Sequence, residues 1–274
     1  MVEPVRTPVK FERPPLVEVA CGVTFSLPES LRTPHFGIFW GMVKDKFPTF
    51  QDAQPLVSIV ELPGQGTSTT LNVELTDMPP LRRAWFVSED EHTLVQLQED
   101  RFLFNWRKTT KNGHVVYPSF NKVSEEFYEQ WGVFQKFLLD MDLGAPTVTQ
   151  LELVYVNALA GISTLAGGAQ SVLIDHELKG DAERFLPEPE GFNWHTTYSI
   201  PSGVSRLHVA AHSASEPGTG MPTIRLDLTA RGLPEDTSFP GVKQWFKVAH
   251  DWITFGFADV TSTESQEKLW GRVA

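Results

Sequence analysis

YPSFNKVSEEFYEQWGVFQKFLLDMDLGAPTVTQLELVYVN, residues 117–157, reads as a long helix followed by a buried strand. After Tyr117-Pro118-Ser119 the large apolar residues fall at Val123, Phe127, Trp131, Phe134, Leu138 and Met141. Those spacings put six side chains on one face of a 3.6-residue helix. Gly144-Ala145-Pro146 ends it, because glycine just past a helix and proline soon after cannot continue the backbone. Leu151-Glu152-Leu153-Val154-Tyr155-Val156-Asn157 is apolar and too short for a helix of its own, so it is expected to be a strand covered on both faces.

Outward from this pair the chain alternates strands and helices. Residues 1–15 are proline-rich and suit an extended arm. From Leu16 the pattern alternates, with Val17, Val19, Cys21, Val23 and Phe25 on one side and Glu18, Gly22 and Thr24 on the other. Thr33-Pro34 has the form of a helix start, and Phe36, Trp40, Val43 and Phe47 repeat behind it. A strand is expected at Leu56–Leu62 and a short one at Leu71–Leu75. Ala84–Val87, Leu94–Leu97 and Phe102–Trp106 read as a three-strand meander. Past the central strand, residues 158–191 form an excursion with one short element around Val172–Leu178. Trp194–Ile200, Ser205–His212 and Thr223–Ala230 make a second meander, with Ser213–Pro222 as a flexible loop. Phe239-Pro240 opens a helix with Val242, Phe246, Ala249 and Ile253 inward, and Asp259–Thr263 caps a last short one ending near Trp270.

The expected class is α+β, in two similar halves, each an antiparallel meander with helices packed on one face. The arm covers residues 1–15, the halves 16–145 and 146–274, packed as one globular unit. Tyr117-Pro118 and Phe239-Pro240 each open a helix after three strands, a layout that either duplication or ordinary α+β packing produces.

Composition narrows the function. The 274 residues carry a formal net charge of -11, with 19 Phe and 8 Trp for a core. Nucleic acid and anionic membrane are not expected partners, because phosphate contacts need a basic surface. Cys21 is the only cysteine, which leaves no internal disulfide and no cysteine zinc site. On the oily side of its strand it reads as a buried structural thiol. No run approaches the length of a membrane span, and the cytoplasm is the expected location.

The most polar set lies on the second meander. Arg206 and His208 point one way from one strand, and Arg225 and Asp227 share a face on the next. With His195 and Thr197 they could cluster and hold an anionic ligand or a partner's carboxylate. The blander reading is a solvated face with cross-strand ion pairs. His208 and His212 have helical chelate spacing, but on a strand they stand roughly 13 Å apart, so no metal is expected. Glu18 and Glu152 are carboxylates in apolar strands, with nothing in the sequence to bring them together for acid–base work. Trp85 and Trp106, near Arg83 and Arg107, are the aromatic residues best placed to mark a partner patch. Gly64-Gln65-Gly66 and Gly167-Gly168 match no phosphate loop, and no cofactor is expected.

Several segments together resemble a known family. They are Phe11-Glu12-Arg13-Pro14-Pro15-Leu16-Val17-Glu18, Phe47-Pro48, Leu151–Asn157, and the run His250–Phe257 before Asp259-Val260-Thr261. The family is one of sporadically distributed, uncharacterised bacterial proteins of similar length. The resemblance implies a patchily inherited gene with a role in defence or a toxin–antitoxin-like system, and it supplies no catalytic residues. The expected function is a non-catalytic cytoplasmic binding or regulatory protein with a protein partner. The alternative is a small-molecule sensor or enzyme using the polar face around Arg206, His208, Arg225 and Asp227.

Overall fold

A computed structural model describes residues 9–57, 59–62, 81–109, 116–159, 191–201, 204–216 and 219–273. Strands β1 (Leu16–Ser26) and β6 (Thr147–Leu159) are the two longest-reaching partners at the centre of a nine-stranded sheet. The remaining strands are β2 (Thr49–Ala53), β3 (Arg83–Val87), β4 (Thr93–Gln98), β5 (Arg101–Arg107), β7 (Asn193–Ile200), β8 (Val204–Ser215) and β9 (Pro222–Leu233). Their order is β2-β3-β4-β5-β1-β6-β9-β8-β7, and every neighbour pair is antiparallel. With four helices among the described residues, the class is α+β.

The pleat sorts each strand onto two faces. On one lie Val19, Cys21, Val23, Phe102, Phe104, Leu151, Leu153, Tyr155, Leu226 and Leu228, all buried. Helices α1 (Thr33–Val43), α2 (Phe120–Asp140) and α3 (Phe239–Val260) cover this face. Val123, Phe127, Trp131, Phe134 and Leu138 of α2 are buried there, as their spacing requires, while Met141 is the first residue past the helix. Phe39 of α1 sits 5.4 Å from Phe134 and 5.6 Å from Phe86, tying that helix to both α2 and the sheet. Phe246 of α3 packs 5.1 Å from Phe127. Val242, Ala249 and Ile253 complete its buried stripe, with Trp245 added through a 3.0 Å bond from its Nε1 to Ser205 Oγ. Gly144 takes φ +82°, where a Cβ would stand 2.8 Å from Pro28, so the turn out of α2 needs glycine twice over.

Helix α4 (Thr263–Lys268) is capped by Ser262, whose Oγ accepts from Ser265 N at 3.2 Å. Trp270 and Phe257 then close over Phe11, and Arg13 N donates to Trp270 O, so the start and finish of the described chain meet.

Several expectations shift in detail. The register of β1 slips between Leu16 and Glu18, so Leu16 rather than Val17 enters the core. Arg32, not Thr33, is the residue before α1, and His35 Nδ1 accepts from its backbone N–H. The loop expected over Ser213–Pro222 is shorter, because β8 runs on to Ser215. The elements expected at Leu71–Leu75 and Val172–Leu178 lie outside the described residues.

The strand expected at Leu56–Leu62 is the largest departure. The edge strand β2 comes earlier, and the segment after it crosses the face opposite the helices. It meets the strands in spatial order. Leu56 exchanges two bonds with the Gln98 amide of β4, at 2.8 and 3.0 Å. Glu61 N and Ile59 O are held by the Gln150 amide of β6, at 2.9 and 2.6 Å. Leu62 O accepts from Arg206 of β8 at 2.9 Å. Five inter-strand gaps from β4 to β8 span about 24 Å, and six extended residues reach about 20 Å. Long side chains supply the remainder. Side-chain amides, rather than a neighbouring strand, serve the backbone at Leu56, Ile59 and Glu61.

Candidate functional site

The face under this crossing segment carries the polar residues, in two groups. The first centres on Glu61, whose side chain is 7% exposed. Arg206 Nη1 donates to Glu61 Oε2 at 2.5 Å and His208 Nε2 to Oε1 at 2.6 Å. Arg231 of β9 stands 3.9 Å from Oε1, while its Nε and Nη2 both lie 2.6 Å from Glu152 Oε2. On the far side of His208, Thr197 Oγ1 lies 3.2 Å from Nδ1, and the His195 ring is stacked with centroids 5.8 Å apart.

Register explains the gathering. Arg206 pairs with Arg231, and Arg231 with Glu152, so three strands place guanidinium, guanidinium and carboxylate side by side. Two adjacent arginines on an acidic protein call for carboxylates, and Glu152 and Glu61 supply them from either side. Burial pushes the Glu61 carboxyl up, but hydrogen bonds from His208 and Arg206 and the charges of His208 and Arg231 outweigh it. The group is held below the usual carboxylate range. His195 is pushed down by burial and by the charge of His208.

The second group lies across β3, β4, β5 and β1. Arg83 Nη1 donates to Gln96 Oε1 at 2.9 Å, Gln96 Nε2 to Asn105 Oδ1 at 2.7 Å, and Asn105 Nδ2 to Glu18 Oε1 at 2.6 Å. This is a hydrogen-bonded ladder over four strands, ending on a carboxylate. The guanidinium groups of Arg83 and Arg107 lie 5.4 and 5.9 Å from the Trp85 ring.

Of the four polar residues expected to cluster, Arg206 and His208 converge. Arg225 and Asp227 do not join them. They bond to each other at 2.9 Å; on β9 Arg225 is six residues and Asp227 four from Arg231, about 20 and 13 Å on a strand, with Arg225 opposite His212 and Asp227 opposite Ala210. Trp85 and Trp106 do not share a surface either. Antiparallel pairing sets Trp85 opposite Gln96 and Trp106 opposite Thr93, positions of opposite parity on β4. Trp106 is therefore buried on the helix side, 5.1 Å from Tyr117, and cannot mark a partner patch. Glu18 and Glu152 stay apart, each opposite a residue four positions from the other. The described residues contain no group of three His, Cys, Asp or Glu side chains placed to hold a metal ion.

Sequence reading passed over Glu61, Arg231 and a buried chain on the helix side. In that chain Tyr117 and Tyr155 hydroxyls lie 3.0 Å apart, and the Tyr155 hydroxyl is 2.9 Å from His250 Nδ1. The one available signal for Glu61 is a single carboxylate in a seven-residue run whose only other polar residue is Ser58. No helix among the described residues is long and apolar enough to cross a membrane. No family model, curated protein or solved structure matches this chain.

Proposed function

We propose that this chain is a non-catalytic binding or regulatory protein that works through contact with another protein, in the cytoplasm. The observation that carries the reading is the crossing segment. Val57, Ile59, Val60 and Leu62 are exposed on it, while Gln98, Gln150, Arg206 and His208 hold its backbone and its one carboxylate from beneath. An apolar strip held in a fixed shape lowers the ordering cost of binding. With a net charge of -11, the partner favoured is one presenting apolar residues within a basic surround. The charged groups below the strip are satisfied by one another, which suits support better than chemistry. A role in bacterial defence or a toxin–antitoxin-like system follows from the family resemblance.

Duplication into two halves is part of the same proposal, and the centre of the sheet supports it. Pairing of β1 with β6 is symmetric about Ala20 and Val154: Glu18 faces Val156, and Glu152 faces Gly22. On the outer sides Glu18 pairs with Arg107 and Glu152 with Arg231. In each half the first strand pairs with the last strand of a meander, and a long helix follows that strand.

The test is capture of a partner from native cells by the intact chain, repeated with Val60→Asp and Ile59→Asp. Loss of the captured protein with unchanged thermal stability is expected. Equal capture by both variants rejects the strip as the contact surface. A second reading, a ligand sensor or enzyme on the polar face, draws on the convergence of Arg206 and His208 on one buried carboxylate. Turnover or ligand binding abolished by Arg206→Gln would favour it.

A further inference from the structure

Three N–H donors on the polar face have no acceptor among the described residues. They are Arg83 Nε and Trp85 Nε1 on β3 and Arg101 Nε on β5, all three atoms shielded from solvent. Register brings them together. Ala84 pairs with Leu97, so Arg83 lies beside Gln98, and Gln98 pairs with Arg101. Trp85 stands one pleat further along the same face, with the Arg83 guanidinium 5.4 Å from its ring. A buried donor without an acceptor is costly, and each such group calls for an explanation; these three lie on neighbouring positions of one sheet face.

The charge balance points the same way. Neither Arg83 nor Arg101 has a carboxylate within ion-pair distance among the described residues, although the chain as a whole is strongly acidic. Arg101 is 7% exposed, and its other contact is a long 3.5 Å bond to Val57 O. Burial and then the charge of Arg101 depress Arg83, with Glu18 only partly offsetting them. Elsewhere on this face Arg206 is matched by Glu61 and Arg231 by Glu152, while Arg107 donates its Nε to the Glu91 carbonyl. Two like charges flanking Gln98, each with an unused donor, are therefore half of an interaction, and the missing half is an anion.

We propose that Arg83, Arg101 and Trp85 form a binding site for a phosphoryl oxyanion. Three donors from three side chains suit a tetrahedral group with several oxygens better than a two-oxygen carboxylate. Arg83 and Trp85 are half-buried and offer the way in, and the Val57 carbonyl places the start of the crossing segment against the site. The site stands independently of the partner reading, since it uses none of the exposed apolar side chains.

The test is calorimetric titration of the intact chain with inorganic phosphate, with AMP as a phosphate monoester and with acetate, at matched ionic strength. Saturable binding of phosphate or AMP below about 10 mM, with a rise in melting temperature, is expected. Tighter binding of AMP assigns the site to an ester, and tighter binding of phosphate to the free ion. Trp85→Phe keeps the ring but removes one donor, and Arg83→Gln removes one charge; each is expected to weaken binding at least about tenfold. Arg83→Gln also ends the repulsion with Arg101, so the unliganded variant is expected to melt no lower than the parent. Absence of phosphate-dependent stabilisation, an equal response from acetate, or undiminished binding by both variants overturns the proposal.

Discussion

Glu61 Oε1 and His208 Nε2 lie 2.6 Å apart although 147 positions separate them in the chain. That bond and the Arg206 contact beside it anchor the far end of the crossing segment. Glu61→Ala is expected to cost about 2–4 kcal/mol in urea unfolding, because Arg206 is left partly buried without its carboxylate. The folded-state carboxyl is depressed, so its stabilisation is complete above the unfolded value near 4.5 and is lost as pH falls through the lower folded value. Glu61→Gln is therefore expected to differ most from the parent at neutral pH and to converge with it in acid. A pH-independent difference would mean that the carboxylate charge is not what holds the segment.

His208 points away from the helix-covered core, and by that fact alone His208→Ala would leave the fold untouched. The structure changes the expected size of the effect, since the ring bridges Thr197 and Glu61. A loss of about 1–2 kcal/mol is expected. In a double-mutant cycle with Glu61→Ala the losses should fall short of additive by about 1 kcal/mol or more. Strict additivity would show that the two residues act separately.

Periodicity carried the helices and the two meanders, because burial on one face is written directly into residue spacing. It also placed Arg206 and His208 on a common face. What it could not carry was register. Whether Trp85 and Trp106 share a surface depends on how β3 and β5 align through β4, and one residue of offset reverses the answer. The separation of Arg225 from Arg206 is hidden for the same reason, since only pairing shows that Arg231 is the residue facing both Arg206 and Glu152. Leu56–Leu62 misled differently: apolar β-branched residues specify extension, not a strand partner, and Gln98 and Gln150 took that place.

Trp131 tests whether α2 is as central as its spacing implies. Its ring lies 5.5 Å from Phe102, 5.6 Å from Phe134 and 5.8 Å from Phe25, bridging helix, β5 and β1. Trp131→Ala should cost about 3–5 kcal/mol, the range for deleting a large buried aromatic side chain. Denaturant unfolding gives the number, and a loss under about 1 kcal/mol would show that the surrounding rings collapse into the space.

His250 provides a second pH-dependent contribution, from the opposite face. Its ring stacks on Phe120 with centroids 4.2 Å apart, and Nδ1 lies 2.9 Å from the Tyr155 hydroxyl. Tyr155 can donate to that nitrogen only while the imidazole is neutral. Burial pushes the group down to about 4, with the charge of Asp251 only partly opposing. A depressed folded value means the unfolded chain binds the proton more readily, so this stabilisation is complete above the unfolded value near 6.5 and is lost as pH falls toward about 4. The interval between those values corresponds to about 3 kcal/mol at roughly 1.4 kcal/mol per pH unit. His250→Gln keeps an acceptor for Tyr155 and cannot titrate, so its stability should fall less steeply than the parent's across that interval, His195 and Glu61 contributing alike to both. Urea unfolding of parent and variant at successive pH values measures the difference, and parallel curves between pH 6.5 and about 4 would show that the buried ring is not held neutral.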